Sequence, residues 1–209
     1  AVVEALADAA KRGKQVRVIV ELAARFDERR NAEWTRVLKA AGAQVFHARP
    51  GLKVHAKCAL IVRREGDRTC GYVHLSTGNY SSFTSMVYTD LALLTCDDAI
   101  AADVADLFEF IISHQPVQRL RTLIAAPFGL RTALHTLVER EVAWVARGER
   151  GHIVLKMNAL VDPAQIALLH LASQAGVHVD LIVRGICCLR PGVPGVSERI
   201  RVRSIVGRF

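Results

Sequence analysis

The sequence predicts an α/β fold built from two related modules, and three observations carry that prediction. Helix-period and strand-period apolar patterns alternate along all 209 residues. The segments Ala10 to Val20 and Ser173 to Val183 repeat a helix end, a glycine and a branched apolar run, the mark of a duplicated α/β unit. Between them, Ser113 to Gln118 breaks the periodicity with proline and polar residues. This places a boundary near 116–121, with one module over 1–118 and the other over 119–209.

In chain order, Val2 to Arg12 is an amphipathic helix closed by Gly13. Val16 to Leu22 reads as a buried strand because of its branched residues. A helix over Asn31 to Ala41 ends at Gly42, and a strand spans Gln44 to His47. A strand carrying His55 runs on to Val62, and Arg63 to Arg68 reads as a charged turn. Strands around His74 and over Leu91 to Thr95 follow. Asp97 or Asp98 caps a helix that continues to Ile112.

The second module opens on a strand over Thr122 to Ala125 and a helix over Arg131 to Arg147. A turn at Gly148 to Gly151 leads into a strand over Ile153 to Met157. Asp162-Pro163 pairs an N-cap with proline at the first helical position, and Gly176 closes that helix. Strand Val177 to Val183, a loop over 184–198 and a strand over Arg201 to Val206 complete the chain.

Composition narrows the partners. Hydrophobic residues at 51% suffice for packed cores, whereas the net charge of +8 and pI near 9.7 call for an anionic partner or a basic solvated surface. Aromatics are only 6% and no nucleic-acid-binding motif is present, so nucleic acid is not expected. No apolar run approaches the ~20 residues of a membrane helix, and no secretory signal pattern opens the chain. The expectation is a cytoplasmic protein. Cys58, Cys70, Cys96, Cys187 and Cys188 lack metal-ligand spacing and read as reduced packing residues, with redox sensing as the alternative.

The chemistry concentrates at Gly51-Leu-Lys-Val-His-Ala-Lys57. Alternation along a strand puts Lys53, His55 and Lys57 on one face. An imidazole beside an ammonium is suited to attack phosphorus while the cation neutralises phosphate oxygens; a surface histidine on a basic strand is the plain alternative. Downstream, His74-Leu-Ser-Thr-Gly-Asn-Tyr80 follows a strand histidine with small polar residues whose N–H groups suit a phosphate cradle.

Those two blocks, with Tyr88-Thr-Asp-Leu91, Leu181 to Gly195 and Ile200 to Val206, resemble polyphosphate kinases of the first, phospholipase-D-like type over essentially the whole chain. The resemblance implies two phospholipase-D-like modules with mixed sheets flanked by helices, the second truncated. It also implies that the family's head domains precede Ala1 and that a nucleotide-contacting histidine lies shortly after Phe209.

The resemblance implies reversible transfer of the ATP γ-phosphate to inorganic polyphosphate through a phosphohistidine, with Mg²⁺ required. His55 matches the phosphorylated histidine, with Lys57 beside it for charge stabilisation and His74 as a second active-site histidine. Tyr88 and Arg184 match nucleotide contacts, and Asp90 is placed to orient a histidine or a magnesium-bound water. Arg25 matches an arginine of the magnesium-phosphate site; a guanidinium cannot ligate a cation, so its expected role is to bind phosphate oxygens that the ion also touches. The partners implied are ATP, ADP and polyphosphate, with homo-oligomerisation of the full-length protein and a cytoplasmic location that allows peripheral membrane attachment.

The chain departs from the family pattern at Ser76, where glycine is usual, at Ser81, where asparagine is usual, and at Ser85-Met86, where alanine-arginine is usual. Loss of a cation and of a flexible glycine is expected to weaken phosphate binding there. Two competing readings stand beside the kinase. A phospholipase-D-like phosphodiesterase usually carries an aspartate about six residues after the histidine, where this chain has Ile61-Val62-Arg63. A non-catalytic polyanion-binding fragment is the other.

Overall fold

A computed structural model describes residues 2–22, 28–49, 51–114 and 120–205. The chain divides into two compact units, Ala1–Leu123 and Ile124–Phe209.

The first unit begins with helix α1 (Val2–Lys11), strand β1 (Arg17–Ile19), helix α2 (Glu28–Ala40) and strand β2 (Gln44–Phe46). β1 and β2 pair in parallel, Val18 opposite Val45. The two helices bury Ala7, Leu38 and Ala41 with Val16 and Ala43. β1 is shorter and less buried than expected over 16–22, because its one sheet partner among the described residues is the three-residue β2. α2 starts at Glu28, earlier than Asn31, the charged run Glu28-Arg29-Arg30 forming an exposed first turn.

Strands β3 (Lys57–Glu65), β4 (Arg68–Ser76) and β5 (Ala92–Thr95) form an antiparallel sheet, with the short helix α3 (Ser82–Val87) between β4 and β5. The charged stretch 63–68 is not a turn as a whole. Arg63 to Glu65 continue β3, and the chain reverses at Gly66-Asp67, with Gly66 at φ +61°. Charged residues are tolerated there because this end of the hairpin is exposed. α3 was not expected; Ser81 caps it by accepting the Thr84 N–H.

Helix α4 (Asp98–Ser113), capped by Asp97, lies on the sheet face formed by Cys58, Leu60, Val73 and Leu75 and buries Ala101 and Val104. Gly71 permits this approach, since a Cβ there would sit 2.7 Å from the Ala101 Cβ. By register, the opposite face carries Lys57, Ala59, Ile61, Tyr72 and His74.

The segment Thr122 to Ala125 is not a strand. The N–H groups of Arg121, Thr122 and Leu123 all donate to the carboxylate of Asp103 at 2.7–3.0 Å, so they are taken from any sheet ladder. The boundary expected at 116–121 falls largely on residues 115–119, outside the described ones.

The second unit contains helix α5 (Leu130–Ala146), strand β6 (His152–Met157), helix α6 (Pro163–Gln174) and strands β7 (His178–Val183) and β8 (Ile200–Arg203). All three strands are parallel, in the order β6-β7-β8. Asp162 caps α6 through the N–H groups of Ala164 and Gln165. The helices pack on one sheet face, burying Ile153, Val179, Leu181 and Val183 against Val138, Leu168, Leu169 and Ala172. β8 ends at Arg203; Val206 of the expected strand lies outside the described residues.

The repeat read in the sequence recurs in three dimensions. α1, Gly13 and β1 correspond to α6, Gly176 and β7; both glycines have positive φ, +79° and +102°, and β1 and β7 each pair in parallel with the next strand, β2 and β8. The five cysteines are unpaired: Cys58, Cys70 and Cys187 are half-buried, whereas Cys96 and Cys188 are exposed and do not serve the core.

Candidate functional site

The first unit gathers its polar side chains where β3 begins. The 51–56 segment is not a strand, so His55 precedes β3 rather than sharing a strand face with Lys57. Its anchor is Glu21, just beyond β1, whose Oε2 accepts the Val54 N–H at 2.8 Å. The Glu21 carbonyl in turn accepts the Asn31 amide at 2.8 Å. His55 is thereby tied to the carboxyl end of the parallel β1–β2 pair, where open α/β sheets place their ligands. Sequence reading missed Glu21; a carboxylate at the end of a buried-strand pattern was the available signal.

Lys57 curls back over this segment. Its Nζ lies 3.1 Å from His55 Nδ1 and 3.2 Å from Nε2, and it donates to the His55 carbonyl at 2.6 Å. The Lys57 charge, then burial, then the Lys53 charge push the His55 pKa below its ordinary value. Burial lowers the Lys57 pKa as well, opposed by the negative charge of Asp90. The result is an exposed imidazole held neutral beside a cation.

Asp90 is fixed from the β4 side. Thr77 Oγ1 donates to Asp90 Oδ1 at 2.8 Å, and a Cβ on Gly78 would fall 2.4 Å from Asp90 Oδ2, so only glycine lets the carboxylate lie there. His55, Lys57 and Asp90 thus form one electrostatic group. Asp90 bonds Thr77 rather than a histidine.

His74 lies on the Lys57 face of the sheet, opposite Ala59, and lines an open groove of about 310 Å³ with Ile61, Tyr72 and Leu94. Its Nδ1 is 2.8 Å from the Tyr80 hydroxyl, a partner that sequence reading had not singled out. Tyr88 ends α3, donating its N–H to the Thr84 carbonyl, with its side chain exposed.

The loop after His74 differs from a free phosphate cradle. The N–H groups of Thr77, Gly78 and Ser81 are engaged by the Leu91 carbonyl, Ser76 Oγ and the Asn79 carbonyl. Backbone donors at 77, 78 and 81 are therefore committed inside the loop.

In the second unit, Arg184 follows β7 directly, and its Nε donates to Asn158 Oδ1 at 2.7 Å. Gly185 lets the two segments meet, since a Cβ there would lie 2.8 Å from the Asn158 carbonyl oxygen. Arg25 lies outside the described residues. Among the described residues no three His, Cys, Asp or Glu side chains converge to hold a cation. Asp90 is a single carboxylate, so a dedicated protein cage for Mg²⁺ does not fit the described part of the site.

Comparison with known proteins gives a consistent result. The family model for polyphosphate kinase C-terminal domain 1 matches residues 1–116, and that for C-terminal domain 2 matches residues 123–209. Polyphosphate kinase 1 of Chlorobaculum tepidum is 49% identical over 208 residues, which is 100% of this chain and 30% of that protein. The Pseudomonas aeruginosa polyphosphate kinase is 48% identical with the same coverage. The crystal structure of polyphosphate kinase from Porphyromonas gingivalis superposes with a TM-score of 0.85 at 43% identity, covering 98% of this chain and 34% of that one. The chain therefore spans about 30% of the length of the curated relatives it matches.

Proposed function

The chain belongs to the polyphosphate kinase family and has its phospholipase-D-like α/β fold, and from that premise we propose that it carries the phosphoryl-transfer centre of a polyphosphate kinase, with His55 as the phosphoryl carrier. The observation that carries this reading is the contact between Lys57 Nζ and the His55 ring, which favours the neutral, nucleophilic imidazole.

In the proposed reaction a ring nitrogen of His55 attacks the γ-phosphorus of ATP. A P–N bond forms as the P–O bond to the β-phosphate breaks, and ADP leaves. A terminal oxygen of a polyphosphate chain then attacks the same phosphorus, breaking P–N and lengthening the chain by one unit; the reverse sequence regenerates ATP. Lys57 supplies a cation to the equatorial oxygens in both steps, and Asp90 tempers that cation. His74, steadied by Tyr80, serves as an acid–base or positioning group. Tyr88 and Arg184 are assigned to the nucleotide and Arg25 to its phosphate oxygens at the magnesium-phosphate site; Mg²⁺ bound with ATP would supply charge neutralisation there.

The same reading assigns residues 1–118 to the first catalytic domain and 119–209 to the second, and includes homo-oligomerisation of the longer protein. No helix of the described residues is long and apolar enough to cross a membrane.

The test is incubation with γ-labelled ATP and Mg²⁺, beside His55→Ala, in this chain and in a longer form that carries it. Base-stable, acid-labile label that vanishes in the variant supports the assignment. Equal labelling of the variant refutes it.

A further inference from the structure

The sheet of the second unit has one face packed by α5 and α6 and one face without a helix among the described residues. At the amino-terminal end of that open face, Arg150, His178, Arg199 and Arg201 with Glu198 surround a concavity of about 540 Å³. Register makes this a row rather than a scatter: His152 lies opposite His178, and Asp180 opposite Arg201. The row lies at the opposite end of β7 from Arg184.

We propose that this row is a docking site for an inorganic phosphate chain, separate from the Arg184 end of the same sheet. The identity of the anion rests on the function proposed above; the cationic row does not.

Three features select a linear polyanion. First, Asp180 is already matched, whereas Glu198 takes only a long 3.5 Å contact from the Gly195 N–H. Asp180 takes His152 Nε2 at 2.8 Å and both Arg201 Nε and Nη2, at 2.9 and 3.0 Å. Arg150 has no partner among the described residues, and Arg199 Nη1 makes only a long contact, 3.5 Å, to His178 Nε2. Second, the cations are exposed and none is enclosed. A single exposed pair contributes little, so affinity has to come from many contacts summed along one ligand. Strands set side by side at ~4.8 Å space the row over roughly 10 Å, a few phosphates of a linear chain. Third, no Phe, Tyr or Trp lines the concavity, so the stacking platform that single-stranded nucleic acid uses is missing.

The experiment is titration of tripolyphosphate into the 209-residue chain, read at the histidine ring resonances by NMR. Shifts at His178 and His152 are expected, retained in His55→Ala and weakened at least about tenfold in Arg150→Ala/Arg199→Ala. Both arginines are exposed, so the double variant should unfold at the wild-type temperature; Arg150→Lys/Arg199→Lys, which keeps both charges, should retain most of the binding. Shifts confined to His55 and His74 would overturn this site and leave the kinase reading intact. An oligodeoxynucleotide of equal charge that bound the row more tightly would overturn the choice of ligand.

Discussion

Lys57 Nζ sits 3.1 Å from His55 Nδ1, and its charge is the largest influence on that imidazole. Lys57→Met should therefore raise the His55 pKa, and because burial and Lys53 still act, not beyond the ordinary value of about 6.5. The neutral fraction at mildly acidic pH then falls, so the acid limb of His55 phosphorylation moves to higher pH while the maximal rate drops with the lost cation. An NMR titration of the His55 ring checks the first part. An unchanged pKa would mean that the contact is not populated in solution.

Gly78→Ala places a Cβ 2.4 Å from Asp90 Oδ2 and 2.6 Å from its Cγ. Asp90 must move, breaking its bond with Thr77 Oγ1, at a cost of about 1–3 kcal/mol. Truncating Asp90 removes the clash, so Gly78→Ala/Asp90→Ala should be less destabilised than the sum of the single changes. A double-mutant cycle by urea unfolding measures the difference. Additivity would show that the loop yields elsewhere.

How far the site was legible follows from the same residues. Helix caps were readable because each is a local hydrogen bond: Asp97 to Ile100 and Asp162 to Gln165 are both separated by three residues. His55 and Lys57 were readable as types and spacing, and Asp90 through the family resemblance. The Glu21–Val54 bond joins residues 33 apart and left no local trace, as did the capture of Thr122 and Leu123 by Asp103, which turned an apparent strand into a bound loop. β3 and β4 were read too short for a related reason. Charge at 63–68 suggested a turn, yet an exposed hairpin end accepts charge, as the Arg63–Glu65 ion pair along β3 shows.

Asp103 is fully buried. Burial alone would raise its pKa, but the backbone donors of Arg121, Leu123 and Thr122 and the Arg121 guanidinium outweigh that and hold it at about 2. A folded pKa below the ordinary carboxylate value adds stability that is complete above the unfolded pKa of about 3.9 and is lost as pH falls through about 2. Asp103→Ala removes the acceptor shared by the part-buried N–H groups of Arg121, Thr122 and Leu123 and should cost about 3 kcal/mol at neutral pH. Its unfolding midpoint should also vary less between pH 5 and pH 2 than that of the wild type. A variant as stable as wild type at pH 7 would remove Asp103 as the clasp of this segment.

Ser76 stands at the end of β4, and its Oγ accepts the Gly78 N–H at 2.9 Å. That bond orders the loop but withdraws a donor from any phosphate near Lys57 and Asp90. Ser76→Ala removes the acceptor while keeping a stiff backbone, and Ser76→Gly removes it and adds freedom at a strand end that costs under about 1 kcal/mol. A released N–H bonding an anionic oxygen contributes roughly 1.5 kcal/mol, or about tenfold in affinity. Both variants should therefore bind ATP or tripolyphosphate more tightly at the His55 end, with alanine gaining at least as much as glycine because it loses less order. Equilibrium binding at fixed salt measures the gain. A gain in glycine alone would credit flexibility, and no gain in either would place the Gly78 N–H away from the phosphate path.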